Sequence, residues 1–229
     1  MDFESSPQVV SSQDAPHPRL EETVLRHLST EYQEKIPTYA QQGFTAANEW
    51  VLTQAKPIIL DSGCGTAQSS LMLAAQHPQC CVIGIDKSEQ RLGRGLPQPL
   101  PDNLLLVRND CIHFWRLAVQ QQWSIEQHYL LYPNPWPKPG HLQRRWHAHA
   151  IFPTLLELGG QLTVRTNWRV YAQEFARALN LVLHEQGKPA RSQSASLRKL
   201  NITTAMTAHE LKYLRSGHAL YEVKKQLEV

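Results

Sequence analysis

Two places in the chain combine residue types that can do chemistry. The first is Asp61-Ser62-Gly63-Cys64-Gly65, which follows the apolar run Pro57-Ile58-Ile59-Leu60 and precedes a helix-like stretch, Gln68 to Gln76. Glycines at a strand-to-helix turn let the backbone turn tightly and approach a ligand that the helix N–H groups face. Asp86 ends the next apolar run, Cys81 to Ile85, 23 residues after Gly63. An acid there can accept both hydroxyls of a ribose. Asp110 follows a third run, Leu104 to Val107, in reach of an adenine or, alternatively, as a helix N-cap ahead of Ile112. NAD and S-adenosylmethionine both suit such a crevice. The third glycine of a dinucleotide fingerprint falls on Gln68, which counts against NAD. Asp61 stands where it can meet the cationic amino-acid end of S-adenosylmethionine, and that cofactor is the favoured one.

The second place is Tyr132-Pro133-Asn134-Pro135-Trp136-Pro137-Lys138. Its closely spaced prolines make a stiff loop that holds Asn134 and Trp136 with little entropy left to lose. Gly140-His141-Leu142-Gln143-Arg144-Arg145 follows and brings positive charge.

These residues need a frame. Helical spacing puts Leu20, Val24, Leu25 and Leu28 on one face of a helix over Leu20 to Glu34, and a second helix covers Ala46 to Gln54. The three apolar runs read as strands, with a helix-like stretch from Glu89 to Gly93 and a helix from Ile112 to Gln121. A fourth strand is expected at His128 to Tyr132, a helix bent at Pro153 over Leu142 to Leu158, and a fifth strand at Gly160 to Arg165. Strands alternating with helices indicate an α/β, doubly wound, mostly parallel sheet. The alternation in His218 to Lys225 adds an antiparallel edge strand. At 229 residues the chain accommodates a single domain, expected over 20–229, after a Ser-, Gln- and Pro-rich tail, 1–19, expected to be mobile.

Composition narrows the setting. Apolar residues make up 41% and charged residues 19%, an ordinary globular balance. No uninterrupted apolar window of membrane-spanning length occurs, and no basic-then-apolar leader opens the chain. Cys64, Cys80, Cys81 and Cys111 show no C-x-x-C pairing, which points to a reducing cytoplasmic setting and to no metal site. Net charge is +3 but uneven: nine Lys/Arg face 14 Asp/Glu up to Pro137, and 14 face six from Lys138 onward. A basic C-terminal part suits a polyanionic partner or a solvated surface.

With these residues in view, the chain resembles the bacterial tRNA (guanine-N7)-methyltransferase family, TrmB. That family's Pro-Asp-Pro-Trp-x-Lys loop and Arg-His-x-Lys-Arg-Arg helix start are matched by Pro133 to Lys138 and Gly140 to Arg145. Its Ala-Thr-Asp-Trp-x-x-Tyr segment is matched by Arg165 to Tyr171, and its late Thr-x-Phe-Glu motif in part by Thr207 to Glu210. The resemblance spans roughly residues 57 to 225. It implies methyl transfer from S-adenosylmethionine to guanine N7 at position 46 in the variable loop of tRNA. Asp61, Gly63, Gly65, Asp86, Asp110 and Asn134 would then hold the cofactor, with Asn134 also the catalytic position. Lys138, Arg144, Arg145, Asn167, Thr207 and Glu210 would meet the tRNA. The departures are Asn134 and Asn167, each where the family has aspartate, and Gly140 and Gln143 at family basic positions. Two other readings remain open: a degenerate relative that binds tRNA without catalysis, and an amino-nitrogen methyltransferase of RNA or protein, whose Asn-Pro-Pro-aromatic loop Asn134 to Pro137 also resembles.

Overall fold

In a computed structural model of the chain, residues 6–9, 11–185 and 194–228 are described. Of the basic stretch from Gln186 to Ile202, the residues up to 193 lie outside the described residues. From Ser196 it forms a strand. Two compact units divide the chain, one of residues 34–131 with 157–162 and 227–229, the other of residues 1–33, 132–156 and 163–226.

The first unit carries the expected strand–helix alternation. Its strands are β1 (Ile58–Ser62), β2 (Cys81–Asp86), β3 (Leu104–Arg108) and β4 (Ile125–Leu131). β1 pairs in parallel with both β2 and β4, and β2 with β3. β1 and β2 are buried along their whole length, which is why they read as unbroken apolar runs rather than alternating ones. Helix α2 (Thr38–Gln54) starts right after Pro37, eight residues before the expected Ala46. It packs Phe44 against Phe114 of α4 (Cys111–Gln120) and against Trp123, with ring centroids 5.1 and 4.9 Å apart. α3 (Gln68–Gln76) falls where the sequence placed it. The stretch from Glu89 to Gly93, expected as helix-like, forms turns instead, with Gly93 at φ 73°.

The second unit differs more from expectation. α1 ends at Leu28, short of Glu34. The single bent helix expected over Leu142 to Leu158 is three short pieces: 3-10 turns at Pro139–Arg144 and Trp146–Ala148, then α5 (Phe152–Glu157). Pro153 sits in the first turn of α5, where its missing N–H is harmless, so it starts a helix rather than bending one. Arg145 between the two 3-10 turns is extended, which breaks the helix. α6 (Arg169–Glu185), β6 (Ser196–Leu200), α7 (Ala208–Arg215) and β7 (Leu220–Leu227) complete the chain after β5 (Gly160–Thr166). β7 is antiparallel to β6, as the alternation of its residues suggested. The strand order is β3-β2-β1-β4-β5-β7-β6, so β6, and not β7, is the edge. Among the described residues no helix is long and apolar enough to cross a membrane.

Beneath the β1 turn lies a buried polar triad. Ser62 Oγ is 2.8 Å from His128 Nε2 and accepts from Trp115 Nε1 at 2.9 Å. Burial pushes the His128 imidazole down to about 3, so it is neutral in the fold. An unfolded chain titrates histidine near 6.5. Between those values only the unfolded state binds the proton, so stability is full above pH 6.5 and falls as pH drops toward 3. We expect the thermal unfolding midpoint to fall from pH 7.5 to pH 5. His128→Gln should flatten that fall by up to about 1.4 kcal/mol per pH unit, the worth of one proton.

Candidate active site

The candidate cofactor groups lie in the first unit. Asp61, the fourth residue of the wholly buried β1, is 1% exposed. A carboxylate so placed needs donors, and the first turn of α3 supplies two: Ser69 Oγ and Ser70 Oγ both donate to Oδ2 at 2.6 Å. Gly84 of β2 makes this possible. A Cβ there would lie 2.5 Å from Ser70 Oγ, so only glycine lets the helix approach the sheet this closely. Burial pushes the Asp61 carboxyl up, against the two hydroxyl bonds. Its Oδ1 has no hydrogen-bond partner among the described residues. A buried acceptor left open costs about 1–3 kcal/mol, and a cationic donor would both satisfy it and hold the carboxylate charged.

The turn after Asp61 is held from below. Gly63 and Cys64 N–H both donate to Ile85 O, at 2.8 and 2.9 Å. Gly63 and Gly65 have φ of 76° and 61°, and the space where each would carry a side chain is open. Gly65 N–H donates to Asp86 Oδ2 at 3.0 Å. Asp86 Oδ1 accepts from Ser88 N–H at 2.7 Å and from Arg91 Nη2 at 3.0 Å. Asp110 caps α4, accepting from Ile112 N–H at 3.0 Å, which is the alternative its position allowed. Cys64 and Cys111, beside these acids, have their thiols pushed far up by burial, so neither is a thiolate nucleophile. Three strand-end acids, an open glycine turn and one orphaned buried oxygen fit an adenosine with a cationic amino-acid tail.

The candidate substrate groups lie in the second unit, around the loop that follows β4. Two non-glycine residues there adopt left-handed backbone, Tyr132 at φ 54° and Trp136 at φ 44°, a conformation that costs roughly 1–3 kcal/mol each. Both are pinned. Tyr132 N–H donates to Arg165 O at 2.8 Å, and its hydroxyl donates to Glu210 Oε1 at 2.8 Å. Trp136 N–H donates to Asn134 Oδ1 at 3.2 Å, and Trp136 O accepts from Arg145 Nε and Nη2 at 3.2 and 3.0 Å. Asn134, between the two, is exposed, as are Lys138 and Arg144. The Arg144 guanidinium lies over the Trp136 ring at 4.8 Å.

Arg145 corrects the expectation that it meets tRNA. It is 2% exposed and spends its donors inside the protein. Nη1 is 2.5 Å from Glu174 Oε2, and Nη2 donates to Gln13 Oε1 at 2.6 Å besides Trp136 O. Glu174, itself fully buried, also receives His147 Nε2 at 3.0 Å and His17 N–H at 2.8 Å. Burial works against its charge, but His147 and Arg145 outweigh it and hold the carboxyl below the ordinary range. The N-terminal stretch is therefore tied in at Gln13 and His17, and at Ser12, whose hydroxyl donates to Pro137 O at 3.1 Å. Sequence reading missed Glu174, although one signal marked it. It is the acid inside the apolar stripe of α6, between Val170, Tyr171, Phe175 and Ala178.

Thr207, Glu210 and Asn167 also serve the fold. Thr207 Oγ1 accepts from Glu210 N–H at 3.0 Å, and the Glu210 carboxylate reaches back to Met206 N–H, a near relative of the capping box. Glu210 is fully buried and pairs with Arg165 Nη1 at 3.1 Å, which also binds Glu222 through Nε at 2.9 Å. Asn167 Nδ2 is 3.0 Å from His218 Nδ1. It helps line a cavity of about 310 Å³ together with Trp168, Arg169, Gln13 and Asp14.

Known proteins bear on what these two sets of groups serve. A tRNA (guanine-N(7)-)-methyltransferase of Treponema pallidum is 28% identical over 171 residues, 70% of this chain and 68% of its own length. One of Pseudomonas savastanoi is 25% identical over 233 residues, 96% of this chain and 94% of its own. Among solved structures, an antibiotic-related methyltransferase superposes with a TM-score of 0.55 at 13% identity, covering 85% of this chain and 96% of its own, a likeness of fold. The family described as putative methyltransferase matches residues 55–223. That stretch runs from just before β1 into β7 and takes in both the glycine turn with its acids and the pinned Asn134 loop, and the chain belongs to that family.

Proposed function

We propose that this protein is an S-adenosylmethionine-dependent tRNA (guanine-N7)-methyltransferase acting in the cytoplasm. The observation that carries the reading is the Asn134 loop, a stiff segment with two strained, doubly pinned residues, in a chain whose relatives are named for this reaction. S-adenosylmethionine, when bound, supplies a methyl group on a sulfonium, and guanine N7 takes it with a lone pair that carries no proton. No general base is needed, so the protein's tasks are alignment and charge.

On this reading Asp61 receives the cationic amino-acid end through its open Oδ1. Asp86 takes the ribose hydroxyls, and Asp110 lies toward the adenine while capping α4. Asn134 orients the base at the loop tip, with its carbonyl shared with Trp136 N–H. Lys138 and Arg144 meet phosphates, and Asn167 lies toward the nucleoside. Arg145, Thr207 and Glu210 act as positioning residues, because each is committed to bonds within the fold.

The direct test is a methylation assay with isotopically labelled S-adenosylmethionine and tRNA from cells lacking 7-methylguanosine, read by nucleoside mass spectrometry. Labelled 7-methylguanosine is expected. A different labelled nucleoside would move the assignment to amino-nitrogen chemistry, and bound cofactor without label would move it to a binding role. Asn134→Asp keeps an oxygen for Trp136 N–H and adds negative charge near a base that becomes cationic, so guanine methylation should rise or hold. The two arginines should separate cleanly. Arg144→Ala should weaken tRNA binding and lower its salt slope by about one unit, with an unchanged melting temperature. Arg145→Ala strands the Glu174 carboxylate and should cost about 3–5 kcal/mol of stability in denaturant titration.

A further inference from the structure

We infer that Arg91 is an internal competitor for the ribose diol, and so an affinity-setting residue of the cofactor site. The inference rests on the reading of Asp86 as the ribose acid. A carboxylate offers about four lone-pair positions. Three at Asp86 are taken: Gly65 N–H on Oδ2, and Ser88 N–H and Arg91 Nη2 on Oδ1. One is left, whereas two ribose hydroxyls donating to one carboxylate need two. A donor must therefore leave.

The three donors are not equally free to go. Gly65 N–H belongs to the glycine turn that Ile85 O holds from below, and Ser88 N–H is backbone two residues from Asp86 itself. Arg91 reaches Asp86 only through a side chain that is 51% exposed, from a segment of turns ending at Gly93 and Gly95, which have φ of 73° and 79°. Water can resolvate its guanidinium at once. The Asp86 side chain, by contrast, is 5% exposed, and a carboxylate so buried is costly to leave with an unfilled acceptor position. Arg91 meets that need in the free protein. When an adenosine ligand enters, its two hydroxyls replace the guanidinium, and part of the binding free energy goes into breaking the ion pair. The same cost applies to S-adenosylmethionine and to S-adenosylhomocysteine, since both carry the same ribose.

Calorimetric titration with S-adenosylhomocysteine and with its 2′-deoxy analogue, on wild-type protein, Arg91→Ala and Arg91→Gln, tests this. A half-exposed pair of this kind is worth roughly a 2- to 5-fold change in affinity. Both variants should bind S-adenosylhomocysteine tighter by that factor. The deoxy analogue, which can fill the remaining position without displacing Arg91, should gain less. Unchanged or weaker binding of S-adenosylhomocysteine by both variants overturns the competitor role and makes Arg91 a support of the site. An equal gain for both ligands overturns it too, since the gain would then not depend on the diol. If the wild-type protein itself takes up neither ligand, the ribose assignment of Asp86 falls, and this inference with it.

Discussion

Arg145 is a cation withdrawn almost wholly from water, and such a group is tolerable only if every donor finds an acceptor. Its environment meets that demand with a charged partner, Glu174, and with neutral oxygens from Gln13, Trp136 and Lys138. The consequences spread through the second unit. Gripping Trp136 O helps hold a left-handed residue whose N–H in turn bonds Asn134 Oδ1. Glu174 in turn binds His147 and the backbone at His17, so α6, the 3-10 turns and the N-terminal stretch share one buried charge pair. A buried ion pair adds little net stability over an apolar substitute. Losing either partner is another matter, because it leaves the other charge buried and unpaired.

The same rule shapes the first unit with the opposite sign. There the charges to be accommodated are carboxylates at strand ends, and each is accommodated differently. Asp61 relies on two serine hydroxyls that reach it only because Gly84 lets α3 close on the sheet. Asp86 relies on two backbone N–H groups and one arginine, and Asp110 on the first turn of its own helix. Of the three, Asp61 alone retains a fully buried oxygen without a donor. An acceptor of that kind destabilises the free protein and is best satisfied by a bound cation, which links stability to ligand binding.

Much of the first unit is legible in the sequence because its signals are local. Unbroken apolar runs ending in acids gave β1, β2 and β3 within a residue or two, and QSSLMLAAQ gave α3. The second unit is less legible because what decides it is non-local. Nothing near Arg145 in the chain says that it is buried, since its partners stand at positions 13 and 174. For the same reason its neighbourhood reads as one helix when it is three short pieces. Thr207 and Glu210 read as substrate contacts from the family pattern, yet the spacing Thr-x-x-Glu is equally that of a helix cap, and the structure uses it so. Asp110 carried the same ambiguity from the outset.

The two asparagines at family aspartate positions acquire a physical meaning from these pairings. Glu174 and Glu210, the acids bonded to the loop's supporting residues, are buried and already paired, with Arg145 and Arg165. They cannot supply the negative charge that Asn134 and Asn167 lack. On the proposed reading, stabilisation of a methylated, cationic guanine by Asn134 and Asn167 rests on neutral acceptors, which are weaker by roughly half than charged ones. On the same reading the compensation lies in the approach of the RNA. Each aspartate removed is one charge fewer set against phosphates in a part of the chain whose balance is already strongly basic, and attraction to a polyanion grows with that balance. Because attack by N7 requires no proton transfer, such a site can give up charge at the base and still perform the reaction, provided that the loop holds its geometry. That geometry is what Arg145 secures.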